Sequence, residues 1–315
     1  MSSSPTLRTQ VEAKFTQGLN WISDQFEGRP ELTAFAQISP ALLLIAFLMG
    51  VSMIIIVFYS FLTDAPPAGN IALTLQNYTE FVGTDLYTSL FIDSLIIAVQ
   101  VTLITVVLGY PVAYFLAFSD TERKNLYLIL IILPFWMNLV VRTFAWRLIL
   151  GTQGLINYLL VDVFSVISEP HNFLFSQFAV TIGLVHVFLP YIILPAYTAL
   201  VRIDESQIEA AKNLGANKLE AFYEVTLPQS VPGLVAGVMI VFVLAFGSFL
   251  IPQLLGGQQN IMIANIIASM FAELRDWALG SAISIVFVFI ILSVVYLFNR
   301  LMGLNQLYET GGDVE

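Results

Sequence analysis

The stretch FLFSQFAVTIGLVHVFLPYIILPAYTALV, residues 173–201, contains no Asp, Glu, Lys or Arg. A helix needs roughly 20 apolar residues to cross the hydrocarbon core of a bilayer, so this stretch is long enough to span one. Further runs without these residue types cover residues 32–63, 225–272 and 277–299. Of the 315 residues, 58% are hydrophobic and 11% are charged, against about 25% charged in soluble domains. The sequence therefore predicts an all-α, polytopic membrane protein.

The distribution of apolar and basic residues predicts six transmembrane helices and their orientation. The spans are placed at about 40–62, 92–118, 126–150, 177–199, 231–252 and 279–300. With the N-terminus inside, nine Lys and Arg residues fall on the cytoplasmic side and three on the outer side. Because basic residues favour the cytoplasmic side, the N- and C-termini are both predicted to be cytoplasmic. The absence of cysteine excludes disulfides and thiolate metal ligands, and no metal site is predicted.

Both ends of the chain lie outside the predicted transmembrane domain, residues 40–302. Residues 1–39 are interpreted as a cytoplasmic tail, and residues 7–26 carry an apolar stripe typical of an amphipathic helix at the inner membrane surface. A partner-binding role is the alternative for that helix. Residues 303–315 are interpreted as a cytoplasmic C-terminal tail. Residues 261–271 are too short to span and predict a short outer-facing helix.

The most informative loop connects the fourth and fifth predicted spans and reads RIDESQIEAAKNLGANKLEAFYEVTLPQ, residues 202–229. Asp204 with Gln207 three positions later resembles a capping box, and Gly215 suits the position just after a helix end. The pattern predicts a short helix, a glycine turn and a second helix. Such an exposed pair of short helices can insert into a groove of another protein. The alternative is that the loop is a solvated connector between spans.

The second short helix of this loop also has local start and stop signals. Asn217 is predicted to cap it, with Glu220 reaching back from the third position. Pro228 is predicted to end it before the next span begins. Its apolar side chains share one face and are Leu219, Phe222 and Tyr223.

The loop resembles the EAA motif of type I ABC importer permeases, which reads Glu-Ala-Ala, three residues, Gly, nine residues, Ile-x-Leu-Pro. The present chain has the same spacing and departs from the motif only at Val225, where the motif has Ile. The resemblance implies that the loop is the coupling helix that docks on a separate ATPase subunit. The motif residues are Glu209, Ala210, Ala211, Gly215, Leu227 and Pro228.

Other segments resemble the permeases of polyamine importers of the spermidine/putrescine type. They include residues 108–118, 133–150, 255–267 and 274–282. The resemblance extends from about residue 40 onward and implies the type I ABC importer permease fold in the bacterial inner membrane. It also implies three kinds of partner: a second homologous permease subunit, two ATPase subunits, and a periplasmic substrate-binding protein.

The chain has no Gly-x-x-x-x-Gly-Lys-Ser/Thr loop with which to cradle the phosphates of ATP. By resemblance, it holds no cofactor, and ATP and Mg are bound by the partner ATPase. No nucleophile, base and orienting group can be assembled from its residues, so the chain is interpreted as a transport subunit rather than an enzyme. The net charge of −10 argues against nucleic acid as a partner.

The substrate class is suggested by charge and by aromatic side chains. The predicted outer face carries more acidic than basic residues, and aromatic rings within the spans attract ammonium groups. The candidate pathway residues are Asp93, Tyr110, Trp136 and Tyr191. Packing or a place in the interfacial belt is the alternative for each aromatic residue, and capping of a helix N-terminus is the alternative for Asp93.

Two arginines, Arg142 and Arg147, are predicted near the outer end of the third span. They are candidates for docking to acidic residues of the binding protein. His186 stands alone on an apolar span and is interpreted as a packing residue.

Other functions are compatible with the spans alone. A permease for another small amine or an opine-type solute would share these motifs. A self-sufficient secondary transporter would be expected to show inverted repeats and intramembrane ionisable relays, and a membrane scaffold would not explain the spacing of the motif.

Overall fold

The computed structural model describes residues 30–64, 71–119 and 121–302. Within these ranges the regular structure is helical, apart from one isolated bridge between Leu62 and Leu73, which confirms the all-α class. Six helical segments in the described ranges are long and apolar enough to cross a membrane. They are Ile38–Ser60, Asp85–Phe118, Leu139–Val163, Gln177–Leu200, Lys218–Phe246 and Trp277–Arg300.

The first helix, α1, spans Pro30–Ser60, and its sequence is apolar on all sides. The 23 residues from Ile38 onward extend about 35 Å at 1.5 Å per residue, enough to cross a hydrocarbon core of about 30 Å. The chain divides into two compact units, and the boundary along the sequence falls between Phe58 and Tyr59. The amphipathic helix predicted for residues 7–26 and the tail at 303–315 lie outside the described residues.

The second unit contains the remaining helices and four π-turns within the described ranges. In chain order its helices are α2 (Gln76–Gly83), α3 (Asp85–Phe118), α4 (Lys124–Ile132), α5 (Leu139–Leu150), α6 (Leu155–Asn157), α7 (Gln177–Leu200), α8 (Glu205–Asn213), α9 (Lys218–Ala221), α10 (Leu227–Phe246), α11 (Ile263–Ser269) and α12 (Trp277–Met302). The π-turns are Tyr158–Val163, Phe222–Thr226, Pro252–Gly256 and Met270–Leu274.

Helices α3, α7 and α10 pack together and form the centre of this unit. Ala98, Leu184 and Val241, one from each helix, are fully buried there. Small residues let α10 approach α7 closely: a Cβ added to Gly233 would lie 2.5 Å from the Ala199 Cβ and from the Pro195 carbonyl oxygen. Close approach through small residues is the usual way in which membrane helices gain packing energy.

The third span is predicted at residues 126–150, with Pro134 as an interruption, but the segment long enough to cross a membrane is Leu139–Val163. Helix α4 ends at Ile132, and Pro134 lies in a 3-10 turn that ends at Trp136. The Asn138 side chain then starts α5 by accepting a hydrogen bond from the Val140 N–H at 2.8 Å. Proline cannot donate to the preceding turn, and Asn138 supplies a new cap four residues later, so the helix restarts.

The short helix predicted at residues 261–271 is present as α11, followed by a π-turn. It is tied to α3 because the Ile263 N–H donates to the Ser94 Oγ at 2.8 Å. Helix α12 then begins beside Asp276, whose carboxylate accepts from the Leu279 N–H at 3.1 Å. The bond to Ser94 ties the segment between α10 and α12 to α3, and this segment follows the end of α10 that is remote from α8 and α9.

Candidate functional site

Helix α8 has a capped start. The Asp204 carboxylate accepts a hydrogen bond from the Ser206 N–H at 2.9 Å. Hydrogen bonds from the backbone and side chain of Ser206 lower the pKa of the Asp204 carboxyl, which favours its charged form. The predicted reciprocal bond from Gln207 is absent, because the Gln207 side chain accepts instead from the Gln229 amide at 2.7 Å. The capping-box prediction is therefore right for Asp204 and wrong for Gln207.

The end of α8 is a Schellman motif centred on Gly215, as the sequence predicts. The Ala216 N–H donates to the Ala211 carbonyl oxygen at 3.1 Å, and the Gly215 N–H donates to the Lys212 carbonyl oxygen at 3.0 Å. Gly215 has φ of +100°, yet a Cβ added there would meet nothing within 4 Å. The requirement for glycine is therefore conformational and not steric.

Helix α9 starts with the predicted capping box. The Asn217 Oδ1 accepts from the Leu219 and Glu220 N–H groups at 2.9 and 3.0 Å, and the Glu220 carboxylate accepts from the Asn217 N–H at 2.7 Å. The prediction that Pro228 ends this helix is wrong. The chain continues through a π-turn into α10, where Pro228 occupies the first turn and needs no N–H partner.

We call residues 204–221 the knuckle. Its tip is apolar and exposed: the exposed fraction is 90% for Leu214, 69% for Leu219 and 62% for Tyr223 on the adjoining π-turn. Of the motif residues, Glu209, Ala210, Gly215 and Pro228 are exposed, whereas Ala211 and Leu227 are half-buried. Exposed apolar side chains on a capped scaffold are typical of a protein-docking surface.

The knuckle is joined to the helical bundle by an aromatic and polar cluster. The Phe222 ring packs edge-on against Tyr110 and Tyr114 of α3, with centroid distances of 6.2 and 5.6 Å. The Tyr110 hydroxyl lies 2.7 Å from the Ser230 Oγ of α10. Ile208 of α8 packs against the buried cluster formed by the ends of α3 and α7. A displacement of the knuckle therefore acts on α3, α7 and α10 together.

The candidate pathway residues do not form one cluster. Tyr110 belongs to the contact beneath the knuckle, while Asp93 lies 17 residues earlier on α3, about 25 Å away along the helix axis. Asp93 is exposed in the third turn of α3, which begins at Asp85, so the alternative of an N-terminal cap is wrong. The Tyr191 ring packs on Phe135 at 4.9 Å, and the neighbouring Trp136 is 88% exposed.

The two candidate docking arginines differ in their surroundings. The Arg147 guanidinium lies over the Phe175 ring, 5.7 Å from its centroid, and the residue is exposed. Arg142 is half-buried, and its Nε has no hydrogen-bond partner among the described residues. His186 packs on Trp146 with a centroid distance of 5.5 Å, as expected of a packing residue.

Sequence reasoning missed the groups that fasten the knuckle to the bundle. Ser230 and the Gln207–Gln229 pair carry no local signal, because each acts on a partner 22 to 120 residues away. The nearest sequence signal is the proximity of Gln229 and Ser230 to the Leu227-Pro228 end of the motif.

Comparison with known proteins gives a consistent result. The family described as "Binding-protein-dependent transport system inner membrane component" matches residues 106–305. The chain is 35% identical over 261 residues to the spermidine/putrescine transport system permease protein PotB of Haemophilus influenzae, which covers 82% of this chain and 91% of the relative. It is 39% identical over 227 residues to PotB of Escherichia coli, covering 72% and 82%.

A solved structure shows the same fold at low sequence identity. A bacterial ABC transporter involved in the import of the acidic polysaccharide alginate has a chain that superposes with a TM-score of 0.70. It covers 89% of this chain and 98% of its own length at 13% identity. At that identity the likeness concerns the arrangement of helices and not the solute.

Proposed function

Because the chain belongs to the family of binding-protein-dependent transport system inner membrane components, we propose that it is the permease subunit through which an ABC importer moves a polyamine across the inner membrane. Its relatives transport spermidine and putrescine, as their names state, and match most of this chain. The main structural support for the proposal is the knuckle, which has an exposed apolar tip and is attached to three packed helices.

The assembly that we propose has four further subunits. A second homologous permease completes the pathway, and two ATPase subunits bind ATP and Mg and dock on the permease knuckles. A periplasmic substrate-binding protein delivers the solute. The knuckle, with both chain termini, is cytoplasmic in this assembly, which agrees with the distribution of basic residues.

Energy transfer follows from the contacts beneath the knuckle. Closure of the ATPase pair on ATP would displace α8 and α9. The Phe222 ring transmits this displacement to Tyr110 and Tyr114, and the Gln207–Gln229 bond transmits it to α10. Nucleotide must bind one arrangement of the spans more tightly than the other, and the knuckle conveys that difference.

The remaining candidate residues have the following proposed roles. Asp93, Trp136 and Tyr191 contribute to the solute pathway, whereas Tyr110 contributes to the contact beneath the knuckle. Arg142 and Arg147 dock acidic residues of the binding protein. The exposed guanidinium of Arg147 is directly available for this contact, whereas the Nε of Arg142 is buried, so Arg142 would have to use its terminal nitrogens.

Uptake of labelled spermidine and putrescine tests the proposal in cells that lack the gene, with and without the wild-type chain supplied in trans. Uptake is expected to be lost and then restored, and the tagged chain is expected to copurify an ATPase. Uptake that never depends on the gene would contradict the polyamine assignment. Purification without any ATPase would contradict the role as an importer permease.

A further inference from the structure

A cavity lies at the end of α10 that is remote from the knuckle. After Phe246 the chain forms the π-turn Pro252–Gly256 and returns as α11. An open cavity of about 600 Å³ lies between these elements, with Phe249 and Gln253 on one side and Glu273 after α11 on the other. Since α10 has 20 residues, this far-end cavity is about 30 Å from the knuckle along the helix axis.

The polar side chains around the cavity fall into two groups. Asn265 is occupied, because its Oδ1 accepts from the Met262 N–H at 3.0 Å and its Nδ2 donates to the Phe249 carbonyl oxygen at 2.8 Å. The side chains of Gln253, Gln258 and Glu273 bond to no other residue in the described part of the chain. Three polar groups that face a cavity thus retain their full capacity for a ligand.

The free groups have the chemistry that recognises an alkylammonium ion. The Glu273 carboxylate supplies a negative charge, and the two amide carbonyl oxygens accept N–H bonds. The Phe249 ring, 48% exposed, can contact methylene groups or a second ammonium. The residues that line the cavity include no lysine or arginine, and Arg275 lines a separate cavity with Asp276. An anion would find no positively charged partner among these lining residues.

We propose that the far-end cavity is a vestibule that holds a terminal ammonium group of a linear polyamine at Glu273 after its release from the binding protein. The inference rests on the proposed function, because it takes the solute to be a polyamine. It adds a site to that function: released solute is retained at the entrance to the pathway while the spans rearrange. Loss of the carboxylate then lets solute escape without preventing ATP hydrolysis.

The test uses the complete importer in proteoliposomes, with loaded binding protein outside and ATP inside. For Glu273→Gln, putrescine uptake per ATP hydrolysed is expected to fall about tenfold, as for loss of one charge-assisted contact. ATP hydrolysis stimulated by the loaded binding protein is expected to stay near the wild-type rate. Glu273→Asp is expected to restore part of the ratio, and Glu169→Gln, at an exposed position outside the cavity, is expected to leave it unchanged.

The outcomes separate this inference from the function on which it rests. A wild-type complex that transports neither putrescine nor spermidine overturns the proposed function. A wild-type complex that transports them while Glu273→Gln keeps the wild-type ratio overturns the vestibule alone. Loss of the second permease from the Glu273→Gln complex during purification would show that the cavity is a subunit contact, which also overturns the vestibule.

Discussion

The knuckle and the far-end segment, residues 247–276, both interrupt the apolar helices beside α10, but they use polar side chains in opposite ways. In the knuckle, Asp204 and Asn217 bond to backbone N–H groups of the same segment. In the far-end segment, Gln253 and Glu273 line a cavity, and their side chains bond to no other described residue. Internally bonded polar groups leave an apolar tip available for a protein, whereas exposed polar side chains that line a cavity suit a polar solute. Changes in the two regions are therefore expected to have separable effects.

The largest effect is expected from Gly215→Val. A side chain at φ of +100° costs about 1–2 kcal/mol, so ATPase copurification and uptake are each expected to fall about fivefold to thirtyfold. Gly83→Val is the matched control, because Gly83 is also exposed with nothing within 4 Å of its Cβ position and has no positive φ. Normal ATPase binding by Gly215→Val would contradict the role of the knuckle as the docking surface and its contrast with the far-end segment.

Removal of the second cap should give the next largest effect. Asn217→Ala leaves the Leu219 and Glu220 N–H groups without their side-chain partner, at a cost of about 1 kcal/mol. ATPase copurification is expected to fall about fivefold, while the uptake per ATP hydrolysed by the remaining complex is unchanged. Asn217→Ser, which retains a capping oxygen, should restore most of the binding. Equal losses in both variants would contradict a capping role.

A smaller effect is expected from Tyr110→Phe, which removes one hydrogen bond beneath the knuckle. The bond to Ser230 contributes about 0.5–1.5 kcal/mol, so stimulated ATP hydrolysis should fall about twofold to tenfold. ATPase copurification should be unaffected, since the tip is unchanged. Tyr114→Phe is the control, because Tyr114 shares the contact with Phe222 but its hydroxyl has no bond to the described residues. Equal effects in both variants would assign the loss to ring packing.

The smallest effect is expected from Arg147→Gln. An exposed ion pair with the binding protein contributes about 0.2–1 kcal/mol, so half-maximal stimulation should require about two- to fivefold more binding protein. The effect should weaken at high salt, because exposed charges are screened. Arg202→Gln, at an exposed position beside the knuckle, is the control and should not change this concentration. Identical behaviour of the two variants would contradict docking through Arg147.

Local chemistry explains why much of the knuckle could be predicted. Gly215, Asn217 and Glu220 act on backbone groups within three residues or so, and their roles are confirmed. The role predicted for Gln207 failed because a distant partner decides it, and the role predicted for Pro228 failed because the preceding π-turn carries the helix past it. Gln207 bonds to Gln229, which lies 22 residues further along the chain. Pro228 lies in α10, and the π-turn before it joins α10 to α9 without a break.

The transmembrane spans likewise have features that the local sequence predicts and features that depend on distant or single side chains. The runs without charge predicted six spans, and the structure confirms the number within the described ranges. Pro134 signals an interruption of the third span, but the position of the new helix start could not be predicted, because it depends on the Asn138 side chain and the surrounding residues remain apolar. The far-end cavity had no sequence signal either, because Phe249 and Glu273 are brought together by the return of the chain through α11.

The geometry at Gly215 has a stereochemical consequence. The position needs a left-handed backbone and has open space where a side chain would begin. A residue of mirror-image chirality prefers that backbone region as strongly as an ordinary residue avoids it. D-Alanine introduced by semisynthesis should therefore keep the turn, where L-alanine would strain it. A longer D-residue could then carry a fluorescent label from the centre of the motif into the interface.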